Sequence, residues 1–230
     1  MKLRFKHQKF QADAAKAVVD VFAGQPYLTP SYMIDRGYEG KTMKGEEFSQ
    51  ISATEEQDFT GWSNHKIVPE LSDRLILEHL QKIQRENQIE PSPKLEGRYN
   101  LTVEMETGVG KTYTYIKTMY ELNRAYGWSK FIVVVPSIAI REGVYKTFQV
   151  TEEHFAEEYG KKIRFFIYNS AQLTEIDRFA SDSSINVMII NSQAFNARGN
   201  DARRIYMKLD EFRSRRPIDI IDKNKPYIDH

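Results

Sequence analysis

One eight-residue run constrains this chain more than any other: Met105-Glu106-Thr107-Gly108-Val109-Gly110-Lys111-Thr112. Gly108 and Gly110 let the backbone turn tightly and bring amide N–H groups against anionic oxygens. A helix that starts near Lys111 aims the positive end of its dipole at the same place. In such a loop Lys111 reaches the β- and γ-phosphates of ATP, and the Thr112 hydroxyl ligates Mg2+. The strict pattern begins with Gly, where this chain has Met105. Context restores the match: YNLTVEM (99–105) reads as a strand before the loop, and KTYTYIKTMYELNRAYG (111–127) as a helix after it. The bland alternative is a glycine-rich hairpin or strand–helix turn that holds Lys-Thr by chance, and that context weighs against it. The expected nucleotide-binding residues are therefore Thr107, Gly108, Val109, Gly110, Lys111 and Thr112, with Thr112 the metal ligand.

The pattern around the loop is that of an α/β chain. Residues 8–23 read as a helix, with Phe10, Ala14, Ala17, Val18 and Val21 at three- and four-residue steps. Residues 24–68 show weak periodicity and read as a long insertion or partly ordered connector. Helical spacing returns over 70–88 through Leu71, Leu75, Leu77, Leu80 and Ile83, and PSPKLEG (91–97) is a break. KFIVVVP (130–136) is a continuous apolar run, as in a buried parallel strand. A helix over 137–148, capped near Ser137, follows it. Further strands are expected at 162–169 and 185–192, with a helix over 170–181 between them. A basic helix at 201–215 and a fifth strand at 217–221 complete the alternation. Such alternation implies a parallel sheet with right-handed crossovers.

Composition bounds the rest. The 230 residues suffice for one sizeable α/β domain, or a domain with an insertion. Hydrophobic residues at 40% and charged residues at 28% fit a soluble globular protein. A net charge of +1, from 33 basic and 32 acidic residues, does not by itself announce a nucleic-acid partner. No cysteine is present, which excludes disulfides, cysteine-ligated zinc and a thiol nucleophile, and fits a reducing cytoplasm. No apolar run approaches the roughly 18–20 residues of a membrane helix, and the start MKLRFKHQKF lacks a signal-peptide core.

The loop in its Met-Glu-Thr-Gly-x-Gly-Lys-Thr form resembles motif I of superfamily 2 helicases and translocases. The longer block 103–148, with its METGVGKT loop, Tyr-bearing helix and VVPSIAIREG segment, resembles the restriction (Res) subunit of type III restriction–modification enzymes. The similarity runs from about residue 8 to 222 and is most specific in that block. It implies a RecA-like P-loop NTPase fold: a parallel sheet with helices on both faces and an insertion before the loop. It divides the chain into an N-terminal segment, 1–98, and a first motor domain, 99–230. It also implies double-stranded DNA as substrate and a methylation (Mod) subunit as partner, in the cytoplasm and away from membranes. Phe10 and Gln11, with Ala14, resemble the Q motif, in which an aromatic side chain packs near adenine and the glutamine amide reads the base edge. The bland reading of Gln11 is an ordinary exposed helical glutamine. The 135–141 segment resembles motif Ia, which makes Pro136, Ser137 and Arg141 candidates for the DNA backbone; the bland reading is a helix cap beside a solvated Arg. Asn191 and Gln193, in a segment like the family's next DNA-proximal stretch, are weaker candidates, since a strand-end Asn is commonly a turn residue. Arg198, Arg203 and Arg204 could meet phosphates, though a solvated helix face accounts for them as well.

Hydrolysis in this class needs an Asp for magnesium and a Glu for the attacking water, placed together after an apolar strand, and arginines from a second motor domain. No Asp-Glu-Pro occurs in the 230 residues; Asp210-Glu211 falls in the basic helix, Asp222 precedes Lys, and Asp229 precedes the final His230. No catalytic residue is assigned, and the chain is expected to stop or diverge just short of its acidic motif. The alternatives to a restriction-motor fragment are a hydrolysis-dead nucleotide-binding remnant and a fragment of another superfamily 2 DNA or RNA helicase.

Overall fold

A computed structural model describes residues 5–35, 59–97, 99–169 and 174–195. The expected helix 201–215, the strand 217–221, the three arginines 198, 203 and 204 and the acidic residues after 209 lie outside the described residues.

The centre is a three-stranded parallel sheet. Its strands are β3 (Lys130–Val135), β4 (Arg164–Ile167) and β5 (Asn186–Asn191), in the order β3-β5-β4. β5 lies in the middle, and Val187, Met188, Ile189 and Ile190 are fully buried. Successive side chains on a strand face opposite sides, and the packing follows that alternation. Val187 and Ile189 join the core under α3 (Lys111–Tyr126) and α4 (Ile138–Tyr159), with Ile116, Phe148 and Phe155. Met188 and Ile190 join the core under α5 (Thr174–Ser181), with Ile176 and Phe179. The expected architecture, a parallel sheet with helices on both faces, is what the chain adopts, and it is that of a RecA-like P-loop fold.

A third cluster joins the N-terminal helices to this frame. The helices α1 (Lys9–Val21) and α2 (Asp73–Glu86) bury Val21, Phe22 and Ile76 against Tyr126 and Trp128. The Tyr126 hydroxyl donates to the Val19 carbonyl at 2.8 Å, which ties α1 to the end of α3.

Three expectations are corrected. Residues 99–105 do not form a strand: Asn100 makes one isolated bridge to Glu96, and no ladder is formed from 101 to 106. The alternation in LTVEM specifies an extended chain but not a partner, and Val103 stays exposed. Within 24–68, where no regular element was expected, β1 (Ser31–Asp35) and β2 (Phe59–Ser63) pair antiparallel, with Ser31 opposite Ser63. Just after β2, Asn64 copies a strand edge: Oδ1 accepts from Ser129 N at 2.8 Å and Lys130 N at 2.9 Å, and Nδ2 donates to the Lys130 carbonyl at 2.8 Å. Finally, α4 runs eleven residues beyond its expected end at 148, to Tyr159. Its buried stripe is Val144, Phe148, Thr151 and Phe155 at helical steps. Thr151 sits in that stripe because its hydroxyl donates to the Thr147 carbonyl at 2.7 Å and so is satisfied within the helix.

Candidate functional site

The loop 107–112 opens into a cleft of about 900 Å³, within the rough 300–1,000 Å³ range of small-molecule sites. Three parts of the chain form its walls. The loop and Tyr113 form the floor, Phe5, Lys6, Gln8, Phe10 and Gln11 one side, and Thr147, Val150 and Thr151 of α4 another. All eight residues expected to bind nucleotide, from Phe10 and Gln11 to Thr107–Thr112, therefore line one cleft.

The loop geometry follows from its glycines. Gly108 has φ +84° and Gly110 φ +88°, in the left-handed region where side chains with a Cβ are strained. Gly110 caps α3, so the free N–H groups of the helix's first turn face out of the loop. Lys111 is exposed, with no hydrogen bond or ion pair to a described residue. Gln11, by contrast, is buried at 7% exposure. Its Nε2 donates to the Val109 carbonyl at 2.8 Å, so it is not a solvated surface glutamine.

Behind the floor lies a polar cluster that sequence reasoning missed. The Tyr113 hydroxyl and His154 Nε2 are 2.8 Å apart. Burial, reinforced by Glu158, pushes the Tyr113 phenol up to about 12. Burial also lowers His154 below the usual histidine value, against the opposing pull of Glu158, with His7 and Lys117 adding to the lowering. Tyr113 thus keeps its proton and His154 is held toward its neutral form, and the histidine tautomer sets which of the two donates. Phe5 stacks on Tyr113, with ring centroids 6.0 Å apart, and lies tilted against His154 at 5.1 Å. Nothing in the local pattern pairs positions 5, 113 and 154; they meet because α4 continues past residue 148 and lies along α3.

The DNA-candidate residues fall on two adjacent strand ends. Val135 and Asn191 are partners in register, so Pro136-Ser137 and Ser192-Gln193 leave the sheet side by side at its C-terminal edge. Ligands bind at that edge in open α/β sheets. Ser137 caps α4, accepting from Ile140 N at 3.3 Å. Arg141 is paired with Glu142 at 2.9 Å, and Gln193 is exposed in a short 3-10 turn, Ser192–Phe195.

The fold and the loop together define the class: a RecA-like P-loop domain of the helicase type. A family profile described as "Type III restriction enzyme, res subunit" matches residues 66–222, more than half of the chain. The chain belongs to that family and carries its helicase-like domain. Relatives include the EcoP15I Res subunit of Escherichia coli, 32% identical over 146 residues, covering 56% of this chain and 15% of that protein. The EcoPI Res subunit of Escherichia phage P1 is 34% identical over 126 residues, 52% of this chain and 13% of that protein. The StyLTI Res subunit of Salmonella typhimurium is 36% identical over 128 residues, 46% of this chain and 13% of that protein. The matched region is thus a small part of each relative. Among the described residues no helix is long and apolar enough to cross a membrane, and no group of three or more acidic or histidine side chains is placed to hold a metal.

Proposed function

We propose that this chain holds ATP with Mg2+ in the cleft above residues 107–112 and serves as the first motor domain of a type III restriction subunit that moves on double-stranded DNA. The observation that carries this reading is the convergence on one cleft of the loop, the start of α3, Gln11 and Phe10. The donor set fits a nucleoside triphosphate: two left-handed glycines, a helix N-terminus, a lysine with no partner among the described residues and a hydroxyl in sequence. Lys111 would meet the β- and γ-phosphates, and Thr112 would be one ligand of Mg2+, which neutralises charge on the phosphates. Gln11 and Phe10 would meet adenine. Residues 1–98 then supply the base side of the cleft, and 99–230 the motor domain proper. Pro136, Ser137, Arg141, Asn191 and Gln193 would face DNA at the C-terminal edge, where closure of a second motor domain over ATP would shift them. A Mod subunit as partner and a cytoplasmic setting belong to the same proposal.

No Asp-Glu-Pro occurs in these residues, so binding is the property to assay. Calorimetry with ATP·Mg, with GTP and Lys111→Ala as controls, tests it. ATP-selective binding that the variant loses is the expected result. Equal affinity in a folded Lys111→Ala protein would overturn it. A duplex-DNA against RNA binding comparison separates the restriction motor from an RNA helicase.

A further inference from the structure

We propose that Gln11 is a positioning residue for the phosphate loop as well as a reader of the base, so that one side chain couples the two ends of the nucleotide. The inference rests on the cleft being an ATP site.

Gln11 is presented by a rigid element. It lies in the first turn of α1, and Ala15, one turn on, is fully buried. From there its amide crosses to a loop 98 residues later in sequence and donates to the Val109 carbonyl at 2.8 Å. The fit is close: a Cβ on Gly110 would lie 2.7 Å from the same nitrogen. A trans peptide points its C=O and N–H to opposite sides. Holding the Val109 carbonyl therefore also sets the direction of the Gly110 N–H, one of the donors a phosphate would meet.

The amide has capacity to spare. A glutamine NH2 carries two hydrogens and its oxygen two lone pairs. Only one of these hydrogens is bonded to a described residue, and Oε1 accepts from none of them. One donor and one acceptor remain, which is the complement of adenine's N7 and N6-amino edge. The bond to Val109 also fixes which end of the amide is the donor. Base and loop thus call on different functions of one oriented group, and they need not compete for it.

The test separates loop from base by using a ligand with no base. Gln11→Met keeps length and bulk and removes both hydrogen-bonding functions. Inorganic tripolyphosphate with magnesium and ATP with magnesium are titrated into the wild-type chain and the variant. Amide exchange of residues 107–112 is followed without ligand. Gln11→Met should weaken tripolyphosphate by about three- to tenfold, the range one net hydrogen bond spans, weaken ATP further, and speed exchange in the ligand-free loop. Gln11→Asn, too short to reach, should behave alike if the Met variant folds poorly. Tripolyphosphate affinity and loop exchange unchanged while ATP affinity falls would restrict Gln11 to the base and overturn the proposal. So would a wild-type chain that binds ATP but not tripolyphosphate. A wild-type chain that binds neither ligand would instead overturn the reading of the cleft.

Discussion

Lys117 of α3 and Glu158 of α4 form a 2.6 Å ion pair between helices, and the lysine side chain keeps only 9% of its surface exposed. Lys117 also donates to the Tyr159 hydroxyl at 2.9 Å, which in turn donates to Glu121 at 2.6 Å. Burial first, and then the bond to Glu121, push the Tyr159 phenol far up, so it remains a donor at any working pH. The network clamps the helix that begins at the phosphate loop to the helix that walls the cleft.

Removing one member strands the others. Lys117→Met should cost about 2–3 kcal/mol in urea unfolding, below the roughly 3–5 kcal/mol for a fully buried pair because Glu158 stays partly in water. Lys117→Met with Glu158→Leu should recover much of that loss, since neither charge is then desolvated alone. Additive costs in the double variant would mean the pair is not coupled.

The two loop glycines should respond differently to a methyl group. Both have positive φ, so either alanine carries about 1–2 kcal/mol of backbone strain. At Gly108 a Cβ would meet nothing within 4 Å, whereas at Gly110 it would press on Gln11 Nε2. Gly110→Ala should therefore lose more stability than Gly108→Ala in thermal unfolding and should disturb Gln11. Equal losses would show that the Gln11 contact is soft.

His154 gives the fold a pH dependence of definite sign. Its folded pKa lies below the unfolded value, chiefly through burial. The unfolded state therefore binds more protons between the two values, and stability falls as pH drops through that window. The contribution is fully present above the unfolded histidine pKa, near 6.5. Protonation also makes both ring nitrogens donors, so Nε2 can then only donate to the Tyr113 oxygen. His7, Glu157, Glu158 and Lys117 face the same ring and tune the window. His154→Gln keeps an acceptor and cannot titrate, so its Tm should fall less than that of the wild type between pH 7 and pH 5. Parallel curves would remove His154 as the source.

Much of this arrangement was legible because its signals are local. The loop is contiguous, β5 holds the apolar run 187–190 and is two residues shorter than the expected span, and α1 differs from its expected bounds by one or two residues. What failed to show depends on partners distant in sequence. β1 and β2 are separated by 23 intervening residues, so no turn signal links them. The second half of α4 places Thr151 where an apolar residue is expected, which breaks the apparent stripe although the hydroxyl is internally satisfied. The extended 101–106 segment has strand-like alternation without a ladder. The His154–Tyr113 contact depends on two helices lying side by side, and no spacing rule anticipates it.

The strand-end residues can be divided by what each loses on truncation. Ser137 is engaged in capping α4, so Ser137→Ala should cost about 1 kcal/mol of stability. Arg141 pairs only with its exposed neighbour Glu142 among the described residues. Arg141 keeps 24% of its side-chain surface exposed, so Arg141→Ala should cost up to about 1 kcal/mol, the upper end for a pair with an exposed partner. If Arg141 meets a DNA phosphate, the same variant should weaken duplex binding and lower the slope of log K against log salt by about 1. Fluorescence anisotropy with a labelled duplex across a salt series measures both. An unchanged slope would return Arg141 to the ordinary solvated surface and leave Ser137, Asn191 and Gln193, which carry no charge, to be tested by affinity alone.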